Sequence, residues 1–441
     1  MPRNRLKRDH PRSRAAASLA SVVPEPENVH SRPPRRSVLI DLGPLSRSRD
    51  FRRLVLGEGV AILGSQVTTV AVPWQVYRLT HSSFDVGLVS LAQLVPLIVG
   101  SVLGGSVADA VDRRRLLLAV ESLMALTSAG LALNADLGPS LWPLFILPAL
   151  GAALSGCDGS TRNALVPNMV GRSDVSAANA IFQALFQVGT VVGPAVAGIL
   201  LAGAGVRFVY WVDVATFAVA LVAVFRISPQ PPKERGNTPG LRSIVEGFRF
   251  IRGRQQIQGA YVIDLDAMVF GMPRALFPAL ATRVFGGGAT TVGFLYAAPG
   301  AGALLGALTT GWVGRVHRQG RAVIVAVIVW GLAIACFGLV HWLPAALILL
   351  AVAGWADVIS AVFRNTIIQL AVTDALRGRL GGFQTAVVSG GPRLGDFEAG
   401  TVAAAFGDTA SVVSGGLACV VGAVILAAAL PGFRRQRADS P

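Results

Sequence analysis

Residues 84–115 read FDVGLVSLAQLVPLIVGSVLGGSVADAVDRRR. From Phe84 to Ala108 only Asp85 is charged, and the stretch is dominated by Val, Leu and Gly. A helix rises 1.5 Å per residue, so this run is long enough to cross a hydrocarbon core about 30 Å thick. It stops at Asp109, Asp112 and three consecutive arginines, Arg113 to Arg115. An apolar run ending in a basic turn is how a spanning helix meets the positive side of a membrane.

Working outward, apolar runs of similar length recur along the chain. They lie at about 54–79, 84–108, 115–135, 141–165, 177–203, 206–227, 257–283, 289–314, 321–341, 343–369, 381–407 and 410–430. The eleventh is the least apolar, since Arg393, Asp396 and Glu398 fall inside it. The whole chain is 53% hydrophobic and 14% charged, with a mean hydropathy of +0.59. Soluble domains carry about 25% charged residues. Such a deficit argues against a soluble globular chain and for a surface that faces lipid. The expected fold is all-α integral membrane, with twelve transmembrane helices.

The net charge of +15 would suggest nucleic acid if the chain were soluble. Here the basic residues lie between the apolar runs, so no nucleic-acid partner is expected. One set of connections carries Arg113, Arg114, Arg115, Arg172, Arg315, Arg318, Arg321, Arg377 and Arg379. The other set carries little beyond Arg78, Arg207 and Arg283. By the positive-inside rule both termini are expected in the cytoplasm. Residues 1–50 read as a disordered basic tail and 431–441 as a second tail. Between them lie two six-helix halves, 51–227 and 257–430. The joining segment, 228–256, opens with Pro229, Pro231 and Pro232. It then places Leu241, Ile244, Val245, Phe248 and Ile251 at helical spacing among basic residues, as in an amphipathic helix on a membrane face.

Moved on by 206 residues, Val86, Gly87, Ala92, Gly100, Gly105, Val107 and Arg115 meet Val292, Gly293, Ala298, Gly306, Gly311, Val313 and Arg321. Both copies lead into a basic turn at the same place. Parallel six-helix repeats place a binding site at their interface, near mid-membrane. Cys157, Cys336 and Cys419 all lie in apolar runs without metal-ligand spacing, and no His/Cys cluster occurs. No phosphate-binding Gly-Lys loop is present. Neither a metal, a cofactor, ATP chemistry nor an enzyme is expected.

The turn after the second helix carries Gly105, Asp109, Asp112, Arg113 and Arg114. A glycine, three residues, an aspartate and a basic turn resemble the gating-loop motif of the major facilitator superfamily. Ala110 and Asp112 depart from it, standing where a basic residue and a glycine are usual. The variant resembles the branch that contains the enterobactin exporter. So do residues 68–88 and 276–311, and the likeness runs from about residue 40 to the end. In the fifth helix Gly189, Gly193, Pro194 and Gly198 resemble the superfamily's antiporter motif, with Ala197 departing from it. This resemblance implies the major facilitator fold and export by exchange. A glycine-rich packing helix would read the same way. The fourth-helix arginine shared by many proton antiporters has no match near Leu147 to Gly151.

Ionisable groups within spans are costly and tend to be functional. Those present are Glu58, Glu121, Asp158, Arg162, Asp213, Asp264, Asp266, Arg274, Asp357, Arg364, Arg393, Asp396 and Glu398. Arg162 and Arg364, each followed by Asn, recur at the cytoplasmic ends of helices four and ten and read as gate and helix-end contacts, with Asp109 or nearby carbonyls as partners. Glu58 and Glu121 read as solvated helix ends. Asp213, Asp266, Arg274 and Asp357 are candidates for proton coupling or cargo, a buried structural pair being the alternative for each. The expectation is a proton-coupled exporter of a siderophore or a small drug-like molecule. It would act as a monomer in the lipid of the bacterial cytoplasmic membrane. A multidrug pump, an importer and a non-transporting sensor of the same fold are the rivals.

Overall fold

The computed structural model describes residues 41–231, 249, 251–371 and 374–437. The first six rods are α1 (Arg49–Thr80), α2 (Ser83–Ala108), α3 (Arg113–Leu137), α4 (Leu141–Met169), α5 (Val175–Gly203) and α6 (Gly205–Phe225). The second six are α7 (Gln255–Phe270), α8 (Ala289–Leu308), α9 (Gln319–Leu339), α10 (Leu343–Ala371), α11 (Asp374–Phe406) and α12 (Asp408–Ala429). All except α7 and α11 are long and apolar enough to cross a membrane, which makes ten among the described residues. α7 is too short alone, and α11 carries the charges that make it the least apolar run in the sequence. Both occupy the places expected of the seventh and eleventh spans.

Helix ends follow local chemistry. Ser48 Oγ accepts from Phe51 N at 3.2 Å, Ser82 Oγ from Asp85 N at 3.2 Å, and Asp112 Oδ1 from Arg115 N at 3.1 Å. Each satisfies a backbone donor that the first helical turn leaves free. Gly407 makes the tight turn between α11 and α12 with φ 91°, a conformation that a side chain would strain. α2 breaks at Gln93. The cause lies at Pro96, which cannot donate to the carbonyl four residues back and whose ring crowds it.

Several segments differ from the sequence expectation. Residues 43–50, read as the end of the basic tail, form a short helix, Gly43–Arg47, and the start of α1. Residues 1–40 and the amphipathic pattern of 241–248 lie outside the described residues. The seventh span is not continuous. α7 stops at Phe270, and Gly271 to Pro273 lead through the turn Arg274–Leu276 to a short helix, Phe277–Arg283. Three contacts from other helices support this break. Trp330 Nε1 donates to Gly271 O at 2.8 Å, Asp396 Oδ1 accepts from Ala275 N at 3.1 Å, and Tyr296 Oη donates to Arg274 O at 3.0 Å. Irregular backbone at this depth survives only when protein groups satisfy it in this way.

The surface is inverted relative to a soluble protein. Leu126, Val95 and Phe225 are 65%, 66% and 69% exposed, while Glu58 and Asp213 are 4% and 2% exposed. Such outer faces suit hydrocarbon. Within α1–α6, α2 packs on α4 and α6 on both α1 and α3. Within α7–α12, α8 and α9 pack on α10, α9 also on α12, and α7 on α11. Glycine allows the close approaches. A side chain at Gly100 would collide with the backbone of Ala153 in α4, and one at Gly302 with that of Ala351 in α10. The two sets meet where α5 lies on α8 and where α2 lies on α11.

Candidate functional site

The turn between α2 and α3 is a charged knot. Asp109 pairs with Arg113 at 3.7 Å, and Arg113 Nε donates to Ala108 O at 3.3 Å. Asp112 caps α3 with one oxygen and accepts from Gln230 N with the other, at 2.9 Å. Arg114 donates to the carbonyls of Val224 and Phe225 and stacks 5.3 Å from the Phe225 ring centre. A guanidinium on the last carbonyls of a helix complements its dipole, so Arg114 closes the C-terminus of α6. The knot ties α2, α3 and α6 to the start of the segment joining the two sets.

Two ion clusters lie within the helix sets. In the first, Arg162 Nη1 donates to Glu58 Oε2 at 2.8 Å and lies 3.4 Å from Asp158 Oδ2. Its guanidinium also sits 5.4 Å from the Phe182 ring centre. Glu121 of α3 is 2% exposed and faces the same centre. In the second cluster, Arg364 lies 2.6 Å from Asp264 and 3.9 Å from Asp357. Asp264 stands 206 residues beyond Glu58, the same offset that aligns α2 with α8. Neither arginine pairs with Asp109. In place of Asp109 or helix-end carbonyls, the partners are buried carboxylates on the first helix of each half, Glu58 and Asp264.

Asp213 of α6 is also buried, and hydroxyls surround it. Thr68 and Ser128 each donate to Oδ2 at 2.7 Å, and Thr216 lies 3.5 Å from Oδ1. A carboxylate so supplied with donors binds three helices together. Asp266 is half-buried on α7, and its carboxylate occupies the space that a side chain at Gly422 of α12 would need. Arg274 sits in the break after α7, beyond the helix that carries Asp266.

The seam between the sets runs along the fifth-helix glycines. A Cβ on Gly189 would press on Ile62, and one on Gly193 on Gln66, both in α1. On the opposite side, a Cβ on Gly198 would lie 2.9 Å from Gly293 Cα and 3.0 Å from Ala289 O. Gly293 in turn abuts Pro194 O. α5 is therefore a two-faced helix, with glycines that serve its own set on one side and α8 on the other. Across the other seam, Gly87 abuts Asp396 O, and Gly400 lies against Ser83 O.

A lock closes the seam at the end remote from the Arg113–Arg115 turn. Ser83 Oγ donates to Asp408 Oδ1 at 2.8 Å. Arg283 pairs with Asp408 at 3.1 Å, donates to His81 O at 3.0 Å, and lies 5.6 Å from the Tyr77 ring centre. His81, Ser83 and Tyr77 belong to the first set; Arg283 and Asp408 belong to the second.

Residues 41–440 match the family described as transmembrane secretion effector. The chain belongs to this family of the major facilitator superfamily. Enterobactin exporter EntS of Escherichia coli O81 (strain ED1a) is 30% identical over 408 residues, covering 92% of this chain and 98% of that relative. EntS of Escherichia fergusonii matches to the same extent. Among solved structures, a bacterial homologue of the human lysosomal transporter Spinster, in an inward-facing, unoccupied conformation, superposes with a TM-score of 0.66. It is 16% identical, covering 89% of this chain and 97% of that one. The nucleoside transporter NupG gives 0.65 at 13% identity, covering 87% of this chain and 98% of that one. At these identities the structures speak for the fold alone.

In this transporter Asp109, Asp112, Arg113 and Arg114, which resemble the superfamily's loop motif, come together in one turn. Gly105 has nothing within 4 Å of where its side chain would be, and the close packing of α2 on α4 falls to Gly100 and Gly104 instead. Asp357 joins Arg364, whereas Asp213, Asp266 and Arg274 occupy separate environments. Glu58 and Glu121 are not the solvated helix ends that the sequence suggests, because packing of α1, α3 and α4 buries both. One sign of their partner was available: Asp158 and Arg162 are spaced to share a helix face.

Proposed function

We propose that the chain is a secondary active exporter in the bacterial cytoplasmic membrane, with both termini inside, that moves a siderophore of the enterobactin class in exchange for protons. The observation that carries this reading is the 30% identity to EntS over nearly both whole chains. Gly189, Gly193, Pro194 and Gly198 support it, because they pack α5 against α1 on one side and α8 on the other, where the two halves must slide. Alternating access then consists of residues 51–227 and 257–430 rocking as units about the α5–α8 and α2–α11 seams, with the 228–256 segment as their tether. The charged knot at Asp109–Arg115 and the Asp408 lock sit at opposite ends of the rods. They are placed to hold alternate states.

The cargo surface lies where the halves meet. Gln187 reaches across that seam and donates to Gly300 O at 3.2 Å. Arg274, in the break after α7, supplies a cation suited to a catecholate. The chain works as a monomer, since each half completes the other's seam.

The reading is tested by deleting the gene and comparing intracellular and secreted metabolites in iron-poor and iron-rich growth. Retention of a catecholate siderophore inside iron-starved cells is expected. Unchanged siderophore secretion together with new drug sensitivity would instead mark the protein as a multidrug pump.

A further inference from the structure

The cluster in α1, α3 and α4 carries more negative charge than its arginine can balance. Glu58, Glu121 and Asp158 can each place one oxygen so that all three lie within 4.8 Å of one another. Arg162 is the cation paired with them, and it engages one oxygen of Glu58 and one of Asp158. The second oxygen of each, Glu58 Oε1 and Asp158 Oδ1, is buried and has no hydrogen-bond donor. Glu121 is 2% exposed, and both its oxygens lack a donor. The result is four donorless oxygens from three helices and a deficit of two charges at a desolvated site.

A buried carboxylate without a partner is strongly destabilising, so this cluster must either take up protons or hold a further cation. We propose that Glu58, Glu121 and Asp158 form a binding site for a hard metal cation of calcium size, with Arg162 orienting two of the ligands. Calcium takes oxygen ligands at about 2.3–2.6 Å, so oxygens on opposite sides of one ion stand about 5 Å apart. Oxygens within 4.8 Å of one another can converge on one such ion, whereas magnesium, which dehydrates reluctantly and keeps several waters, is poorly served by a buried cluster of carboxylates. Arg162 holds ligand carboxylates from behind, as hydrogen-bonding neighbours do around metal ligands.

The related half supplies an internal contrast. Asp264 and Arg364 repeat the Glu58–Arg162 pairing, but the position 206 residues beyond Glu121 is Val327. The third carboxylate is therefore a feature of the first half alone. An ion there would join α1, α3 and α4 on the side of the knot, and its site is separate from the α5–α8 seam. The site stands whether or not the cargo is a siderophore.

The test uses the full chain, purified in detergent, stripped with chelator and titrated calorimetrically at fixed pH with calcium, magnesium and sodium ions in turn. One calcium-sized ion per chain, calcium or sodium, is expected to bind saturably and in preference to magnesium. Glu121→Gln should weaken binding about tenfold or more, with partial recovery in Glu121→Asp. Asp136→Asn, which alters a surface pair with Arg207, should bind as the unaltered chain does. Absence of saturable binding by the unaltered chain would overturn the proposal, whatever the variants do. So would undiminished binding in Glu121→Gln, or equal loss in Asp136→Asn.

Discussion

Replacing Asp408 with Ala should unlock the end of the molecule remote from the arginine turn. Asp408 takes a hydrogen bond from the hydroxyl of Ser83 at 2.8 Å and an ion pair from Arg283 at 3.1 Å. Its side chain is 10% exposed, whereas that of Arg283 is 54% exposed. Hydrogen bonds to a charged group contribute about 1.5–3 kcal/mol, and Ser83 is buried, so that bond counts nearly in full. The Arg283 pair is screened by solvent and adds less than about 1 kcal/mol. Of these two bonds only Ser83's crosses the seam, and Arg283 adds a second crossing through His81 O. Losing the Ser83 bond should therefore shift the balance toward the separated state by about 1.5–3 kcal/mol, or roughly ten- to a hundred-and-fifty-fold. Asp408 also lies in the first turn of α12, but that favourable dipole contact exists in both states and does not bias them. Spin labels on Ala204→Cys and Thr409→Cys, in a background lacking the three native cysteines, would report the separation across this end. A longer-distance population that grows in Asp408→Ala is expected. A distance distribution unchanged from the parent would refute the assignment of Asp408 as a lock.

Other perturbations have equally definite outcomes. Arg162→Met leaves Glu58 and Asp158 buried without their cation, which should cost about 3–5 kcal/mol and show as a lower thermal unfolding midpoint in detergent; an unchanged midpoint would mean the pair is not buried as described. Gly198→Leu drives a side chain into Gly293 and the Ala289 carbonyl, so efflux should stop while the protein still reaches the membrane. Normal efflux in that variant would show that α5 and α8 need not touch during the cycle. Asp109→Asn removes the partner of Arg113 in the knot and should slow efflux without loss of protein, and wild-type efflux would remove this residue from the gating account.

The rods were legible in the sequence because length and apolarity alone identify a segment that crosses a bilayer. The arginine turn was equally plain where it is local, in the Asp109–Arg113 pair and the Asp112 cap, but not in its ties to Val224, Phe225 and Gln230. The break after α7 was hidden. Gly271 and Pro273 signal it, yet apolar residues continue on both sides and the run reads as one span. What holds the break open comes from elsewhere: Trp330 on α9 and Asp396 on α11. In the sequence Asp213 reads equally as a proton-coupling or cargo group and as a buried structural partner, because nothing local shows that Thr68 and Ser128 converge on it from two other helices. The carboxylate cluster escaped for the same reason. Glu58 and Glu121 lie near the starts of their helices, where a solvated side chain is the ordinary outcome, and only tertiary packing turns them toward Asp158. Local motifs and spans were readable; the chemistry made by three helices at once was not.

The most direct test of the transport account uses everted membrane vesicles from cells that produce the chain, with a catecholate siderophore as cargo. Imposing a pH gradient, acidic inside, should drive accumulation of the siderophore that collapses on addition of a protonophore. No accumulation above that of vesicles lacking the protein, or accumulation indifferent to the gradient, would contradict proton-driven siderophore export.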